Sequence, residues 1–78
     1  MDIKAHPPRR IHKQLGARIR KLREKKGLTR KDFAEASDLS LGYLGKIERG
    51  NHNIKLSNLR KITRGLDITI ERLLKGIL

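Results

Sequence analysis

The stretch RKDFAEASDLSLGYLGKIERG, residues 30–50, decides the fold of this chain, because it contains two short helical patterns separated by a turn. Thr29 stands just before it and Asp32 follows three positions later, a pattern typical of a helix N-cap with an acidic partner. Asp38 lies where the first pattern ends, and aspartate tolerates the left-handed backbone of a sharp turn. Ser40 is a suitable cap for the second pattern. The stretch predicts a helix, a tight turn and a second helix.

The second helix contains two glycines, Gly42 and Gly45, although each glycine costs a helix roughly 0.5–1 kcal/mol relative to alanine. A Walker-type phosphate loop does not explain them, because the glycine spacing is too short and Ile47 replaces the required Ser or Thr. The Gly-x-x-Gly loop of a KH domain needs a β-sheet, and the sequence contains no convincing strand. We favour a helix-turn-helix over residues 30–49, in which the second helix enters the DNA major groove.

The rest of the chain adds three more helical patterns. Gly27 is suited to end the first of them and Thr69 to cap the last, whereas Lys55 is a poor cap for the helix between. The sequence therefore predicts an all-α domain over residues 11–78, preceded by a flexible basic arm over residues 1–10, where Pro7 and Pro8 prevent a helix. The apolar positions of the three patterns are Ile11, Leu15, Ile19 and Leu22, then Leu56, Leu59, Ile62 and Leu66, and finally Ile70, Leu73 and Leu74.

Composition restricts the possible functions. The 78 residues carry a net charge of +12, and residues 1–26 alone hold ten Lys and Arg against two acids. This charge favours a polyanion as partner, with nucleic acid preferred over an anionic membrane surface. Without cysteine there is no disulfide or thiolate metal site, and no segment has the length of a membrane span or the apolar core of a signal peptide. We therefore expect a soluble, cytoplasmic protein.

From about Gly16 to Leu74 the chain resembles the Cro/phage-repressor (XRE-type) helix-turn-helix family. The matching stretches are LGARIRKLREKKGLT, FAEASDLS, YLGKIERG and LDITIERLL. The segment Ile47–Asn53, IERGxxN, is also similar to the controller proteins of restriction-modification systems. The resemblance implies a compact five-helix bundle of the lambda-repressor-like type, and a transcriptional regulator that reads a pseudo-palindromic operator as a homodimer. The chain departs from the family pattern at Arg30 (usually Gln), Asp38 (often Gly) and Lys55 (often Ser).

The resemblance also assigns DNA contacts. Lys46 is expected to bind guanine, and Leu41 either contacts a thymine methyl or packs against the domain. Arg30, at the start of the first helix of the motif, is expected to reach either a phosphate or a base edge. The glycines either let the helix backbone approach DNA or reflect loose packing. The base-contact candidates, with the recognition helix over about 40–49, are Arg30, Ser40, Leu41, Gly42, Gly45 and Lys46.

Other positions are expected to contact the DNA backbone. Tyr43 is expected to contact phosphate, the alternative being a half-buried core aromatic. Arg9, Arg10 and Lys13 are expected to form an arm that follows the DNA backbone or enters the minor groove, the alternative being a solvated tail. The backbone candidates are Tyr43, Asn51, His52, Asn53, Lys55, Arg9, Arg10 and Lys13.

Two further sets concern structure and assembly. By resemblance, Arg23 and Glu48 form an ion pair between the first and third helices. Ile70, Leu74, Ile77 and Leu78 exceed what a small core needs and are candidates for a homodimer interface. The three histidines, His6, His12 and His52, lack metal-ligand spacing and acid or base partners, so we expect no enzyme activity, metal, cofactor or small-molecule ligand. The alternative function is an antitoxin-like or adaptor module with the same fold that acts through protein partners.

Overall fold

The computed structural model describes residues 10–51 and 53–77, and within these ranges it confirms an all-α domain of five helices without strands. Arg10, assigned to the arm from sequence, is the first residue of α1, and Arg9 lies outside the described residues together with His52 and Leu78. The helices are α1 (Arg10–Lys25), α2 (Arg30–Ser37), α3 (Leu41–Glu48), α4 (Leu56–Leu66) and α5 (Ile70–Leu74).

Side-chain caps fix where three of the helices begin. Thr29 Oγ1 accepts a hydrogen bond from the Asp32 backbone N–H at 3.0 Å, and the Asp32 carboxylate accepts from the Thr29 N–H at 3.1 Å. The hydrogen bond from the Thr29 N–H favours the charged carboxylate and so holds the pKa of Asp32 below its usual value of 3.8. Ser40 caps α3 and Thr69 caps α5 in the same way, by accepting from the N–H three residues on. Lys55 supplies no side-chain cap to α4, as its residue type predicts.

The turn between α2 and α3 depends on Asp38, which has left-handed backbone angles (φ 56°, ψ 45°). Its backbone N–H bonds to the Glu35 carbonyl at 3.3 Å, and the Leu39 N–H bonds to the Ala34 carbonyl at 3.1 Å. These bonds satisfy carbonyl groups that the end of α2 would otherwise leave unpaired. The predicted helix-turn-helix is therefore present, with the turn at the predicted residue.

The core lies where α3 and α4 meet the remaining helices. α1 packs against α3 and α5, and α2 packs against α3 and α4. The sequence was wrong about Leu56, which is 69% exposed at the start of α4, and Ile11 is likewise 42% exposed near the start of α1. Both lie in the first turn of their helix, beyond the reach of the core. The buried apolar residues are Ile19, Phe33, Leu44, Ile47, Leu59, Ile62, Leu66 and Leu73.

Two small residues set how closely the helices approach. A Cβ atom on Gly16 of α1 would collide with the carbonyl oxygen of Ile47 and lie 2.9 Å from that of Glu48. A Cβ on Gly65 of α4 would lie 2.9 Å from the Cβ of Ser37, at the end of α2. Because the obstacle at Gly16 is backbone, only glycine permits the observed contact between α1 and the end of α3.

Candidate nucleic-acid interface

One face of α3 is open to solvent. Leu41 is 51% exposed, which disfavours the alternative that it packs inside the domain. Lys46 is exposed one turn beyond Gly42, and among the described residues no atom lies within 4 Å of a Cβ built on Gly42. Ser40 is also exposed at the N-cap, where its Oγ accepts from the Tyr43 N–H at 3.1 Å. Four predicted base-contact residues therefore share the exposed N-terminal part and outer face of α3.

Gly45 differs from Gly42 in its surroundings, and its predicted contact with DNA stays a prediction. Gly45 is buried, and a Cβ placed there would lie 3.1 Å from Nη1 of Arg49. Residues four apart share one side of a helix, so the Arg49 guanidinium covers the glycine. Arg49 was not among the candidates chosen from sequence, although its spacing from Gly45 was a usable signal. The face therefore presents an additional cation where bare backbone was expected.

Tyr43 lies at the boundary between this face and the core. Its side chain is half-buried and packs against the core cluster, which is the alternative left open by the sequence. Its hydroxyl accepts a hydrogen bond from Asn58 Nδ2 at 3.0 Å, and this bond joins α3 to α4. A phosphate contact by Tyr43 stays a prediction.

The candidates for backbone contact flank α3. Asn51, Asn53 and Lys55 are exposed in the loop that follows the helix. Lys13 is exposed on α1, and its backbone and Cγ pack against Gly50, where that loop begins. His12 Nε2 and Asn53 Oδ1 are 3.2 Å apart, a contact that links α1 to the same loop. The N-terminal turn of α1 and the loop after α3 therefore form adjoining surfaces.

Glu48 is the one acidic residue of α3, and it is turned away from the open face. Its carboxylate, 2% exposed, accepts from Arg23 Nε at 2.7 Å and from Arg23 Nη2 at 3.3 Å. Arg23 Nη1 also donates to the Leu28 carbonyl at 2.8 Å, which ties in the loop between α1 and α2. The ion pair assigned to these two residues is thus a buried, bidentate contact. An acid at a helix C-terminus opposes the helix dipole, and the guanidinium compensates for this.

Arg30 is a second partner of the same carboxylate. Its Nε donates to Glu48 Oε1 at 3.2 Å, while its side chain stays 43% exposed. The sequence placed Arg30 near DNA but gave no sign of this contact. The exposed Glu24 carboxylate also lies 4.0 Å from Arg23 Nη2 and 3.3 Å from Arg20 Nε. The cluster of three guanidiniums and two carboxylates therefore keeps a net positive charge beside α3.

Three of the predicted dimer residues are described by the structure, and their role in a dimer stays a prediction. Leu74 and Ile77 line a shallow groove of about 230 Å³ between α1 and α5, together with Ile11, Leu15 and Ile54. Ile70 lines a different groove, beside the basic side chains of α4. The groove between α1 and α5 is thus the one in which two of the predicted dimer residues lie beside other apolar side chains.

Metal-binding clusters and membrane-spanning helices are both absent from the described residues. Within 10–51 and 53–77, no three His, Asp or Glu side chains lie close enough to hold a metal ion. In the same ranges, every helix is too short or too polar to span a bilayer.

A helix-turn-helix with an open, basic second helix defines a class of DNA-binding proteins. The model of the family described as "Helix-turn-helix" matches residues 19–73, and the chain belongs to this family. The family is one of transcriptional regulators, and the chain is accordingly a DNA-binding regulator and not an enzyme.

Particular relatives support the same class. The chain is 42% identical over 65 residues to the control protein C.MunI of Mycoplasma sp., covering 82% of this chain and 88% of that protein. It is 39% identical over 64 residues to the transcriptional regulator DdrOP3 of Deinococcus deserti, again covering 82% of this chain but only half of that protein.

Among solved structures, the restriction-modification controller protein C.AhdI from Aeromonas hydrophila is 40% identical, with a TM-score of 0.75. The alignment covers 81% of this chain and 94% of that one. The clp gene regulator ClgR from Corynebacterium glutamicum is 32% identical, with a TM-score of 0.80, and covers 87% of this chain and 88% of that one.

Proposed function

We propose that the chain is a homodimeric, sequence-specific regulator that reads a pseudo-palindromic operator with α3 in the major groove. The observation that carries this proposal is the open face of α3, which presents Leu41, Gly42 and Lys46 while the one acid of the helix is buried. A Cβ built on Gly42 meets no atom of the described residues within 4 Å. A basic, acid-free helix face is compatible with the phosphate-lined groove. The similarity to control proteins favours a controller of a restriction-modification system, acting in the cytoplasm on the nucleoid.

Direct readout is assigned mainly to Lys46, whose amine suits the O6 and N7 acceptors of guanine. Leu41 offers only apolar contact to a thymine methyl. Gly42 contributes no side chain, and its role is to let the backbone of α3 come close to the bases. Ser40 and Arg49 are additional candidates at the two ends of the open face.

Backbone contacts are assigned to the exposed residues around the loop after α3, namely Lys13, Asn51, Asn53 and Lys55. Such contacts supply affinity and orientation without reading the sequence. Each phosphate neutralised releases counterions, so binding is expected to weaken steeply as salt is raised.

Dimerisation is assigned to the groove between α1 and α5, with Leu74 and Ile77 as its central residues. A single helix-turn-helix reads only a short half-site, and a two-fold dimer doubles the sequence that is read. The half-sites are then expected about one helical turn, ~34 Å, apart.

Selection of bound sequences from random duplex DNA at physiological salt tests the proposal. A palindromic consensus, with a dimer seen by sedimentation on the selected duplex, is the expected result. Sedimentation of a monomer both free and on DNA would refute the dimer. An absence of enriched sequences would instead favour the antitoxin-like or adaptor function, in which the fold binds protein.

A further inference from the structure

We infer that Glu48 positions Arg30 on a DNA phosphate beside the recognition helix, in addition to forming its ion pair with Arg23. The inference rests on the proposed function, since it assumes that α3 lies in the major groove. Glu48 is buried and does not itself contact DNA in this arrangement. The inference nevertheless gives it a role in DNA affinity, through Arg30.

The arrangement around the Glu48 carboxylate is specific. Oε2 accepts from Arg23 Nε at 2.7 Å, whereas Oε1 accepts from both Arg23 Nη2 at 3.3 Å and Arg30 Nε at 3.2 Å. Glu48 is 2% exposed and Arg23 is 9% exposed, whereas Arg30 is 43% exposed. Arg23 holds the Glu48 carboxylate in place through two hydrogen bonds, and the carboxylate in turn fixes Nε of Arg30.

The contact leaves the other end of Arg30 available. Among the described residues, none accepts a hydrogen bond from its two terminal nitrogens, Nη1 and Nη2. These nitrogens form a flat edge with two parallel N–H donors, which matches two oxygens of a phosphate. Because Nε is already bound, the guanidinium loses less freedom when DNA arrives, and preorganisation of this kind improves affinity.

The position of Arg30 favours phosphate over a base edge. It is the first residue of α2, and in helix-turn-helix proteins the first helix of the motif crosses the DNA backbone while the second lies in the groove. The Asp32 carboxylate already occupies the N-terminus of α2 by accepting from the Thr29 N–H, so the attraction for phosphate there is assigned to the Arg30 guanidinium and not to the helix dipole. With Arg20 and Glu24 included, three guanidiniums outnumber two carboxylates, so the cluster remains attractive to DNA.

The test uses four proteins: the unmodified chain, R30A, E48Q and the double variant R30A/E48Q. Their affinities for the selected operator duplex are measured at several salt concentrations. R30A is expected to weaken binding on the order of tenfold and to lower the salt slope by about 1, the signature of one lost phosphate contact. E48Q is expected to weaken binding less, and to have no further effect in the R30A background.

A matched control removes the same charge elsewhere. Arg64 is exposed in the last turn of α4, at the opposite end of that helix from Lys55. R64A is expected to change binding far less than R30A, and equal losses would overturn the assignment because they would show an effect of overall charge alone. The assignment would also be overturned if E48Q weakened binding as much in the R30A background as in the unmodified chain. Glu48 would then affect binding through the fold and not through Arg30.

A second variant keeps the inference testable if E48Q fails to fold. R30K retains the charge but has one nitrogen in place of three, so it is expected to lose most of the affinity that R30A loses. If R30K bound the operator as tightly as the unmodified chain, the positioning of Arg30 by Glu48 would be ruled out, because a lysine cannot bond Glu48 and also offer two parallel donors to a phosphate. A relaxed preference at one base pair in R30A, with an unchanged salt slope, would overturn the phosphate assignment.

Failure of the inference and failure of the proposed function give different results. If the unmodified chain selects no duplex, the proposed function itself is wrong. If the unmodified chain binds its selected duplex and R30A binds equally well, only the role given to Arg30 and Glu48 is wrong.

Discussion

The two sides of α3 differ in what their residues do, although they belong to one eight-residue helix. On the inner side, Leu44 and Ile47 are almost fully buried and Glu48 is paired with two arginines. On the outer side, Leu41 is half exposed and a Cβ on Gly42 would meet no atom of the described residues. The inner side holds the helix against α1 and α2, and the outer side is left for a partner.

This difference separates stability from binding. Changes on the inner side should lower the free energy of unfolding and, apart from the effect of Glu48 on Arg30 inferred above, should affect DNA binding only through loss of the fold. Changes on the outer side should leave the fold intact and alter affinity. The following variants test this separation in order of decreasing effect.

The largest effect is expected for R23M, which removes the inner guanidinium but retains an apolar chain of similar length. Glu48 then keeps only the exposed Arg30 as an ionic partner while its carboxylate stays buried. Breaking a buried pair costs about 3–5 kcal/mol, and the contact with Arg30 should place the loss near the lower end. Denaturant unfolding measures the change.

Two further variants are controls for R23M. R30A removes the partly exposed partner and should cost less than about 1 kcal/mol, because Arg23 still bonds both carboxylate oxygens. The double variant R23M/E48M replaces the pair with apolar side chains and should be more stable than R23M alone. If R23M and R30A lower the free energy of unfolding equally, the Arg23–Glu48 ion pair does not stabilise the packing of α3 more than the exposed contact does.

The next effect is expected for G16A, on the surface of α1 that faces the end of α3. The added Cβ would collide with the carbonyl oxygen of Ile47, and backbone atoms cannot move aside without separating the helices. Overpacking of this kind costs about 1–3 kcal/mol, despite the better helix propensity of alanine. A melting temperature equal to or above that of the unmodified chain would show that the two helices separate freely.

On the outer side, K46A is expected to leave the free energy of unfolding within about 0.5 kcal/mol, because the side chain is exposed. Loss of a specific base contact should weaken operator binding by about 1–3 kcal/mol and relax the preference at one base pair. Selection from random duplexes with the variant measures the second effect. A uniform loss across all sequences would instead identify Lys46 as a phosphate contact.

The inner side was largely predictable from the sequence, and the outer side was only partly so. Helical spacing and the caps at Thr29, Ser40 and Thr69 identify the helices, because these signals are local. Leu56 matched the spacing yet is exposed, since periodicity does not show how far the core extends along a helix. The Arg30 contact with Glu48 joins residues 18 positions apart, and no local pattern encodes it.

The burial of Gly45 is the case between these extremes. Its spacing from Arg49 is local and was visible, but a rotamer of Arg49 decides whether the glycine is covered. The structure places Nη1 of Arg49 3.1 Å from where a Cβ would lie. The sequence therefore does not determine in which direction the Arg49 side chain points on this helix face.

G42A is expected to stabilise the protein slightly and not to destabilise it, and it is the sharpest test of the outer side. A Cβ there meets no atom of the described residues, so alanine should stabilise the free protein by about 0.5–1 kcal/mol through helix propensity. G45A is the matched control, since the same substitution must displace Arg49 and should stabilise less. If α3 approaches the bases closely at Gly42, G42A raises the melting temperature and weakens operator binding together. A stabilised G42A protein with unchanged affinity would show that the glycine is not needed for contact with DNA, and readout would then depend on Lys46 and its neighbours alone.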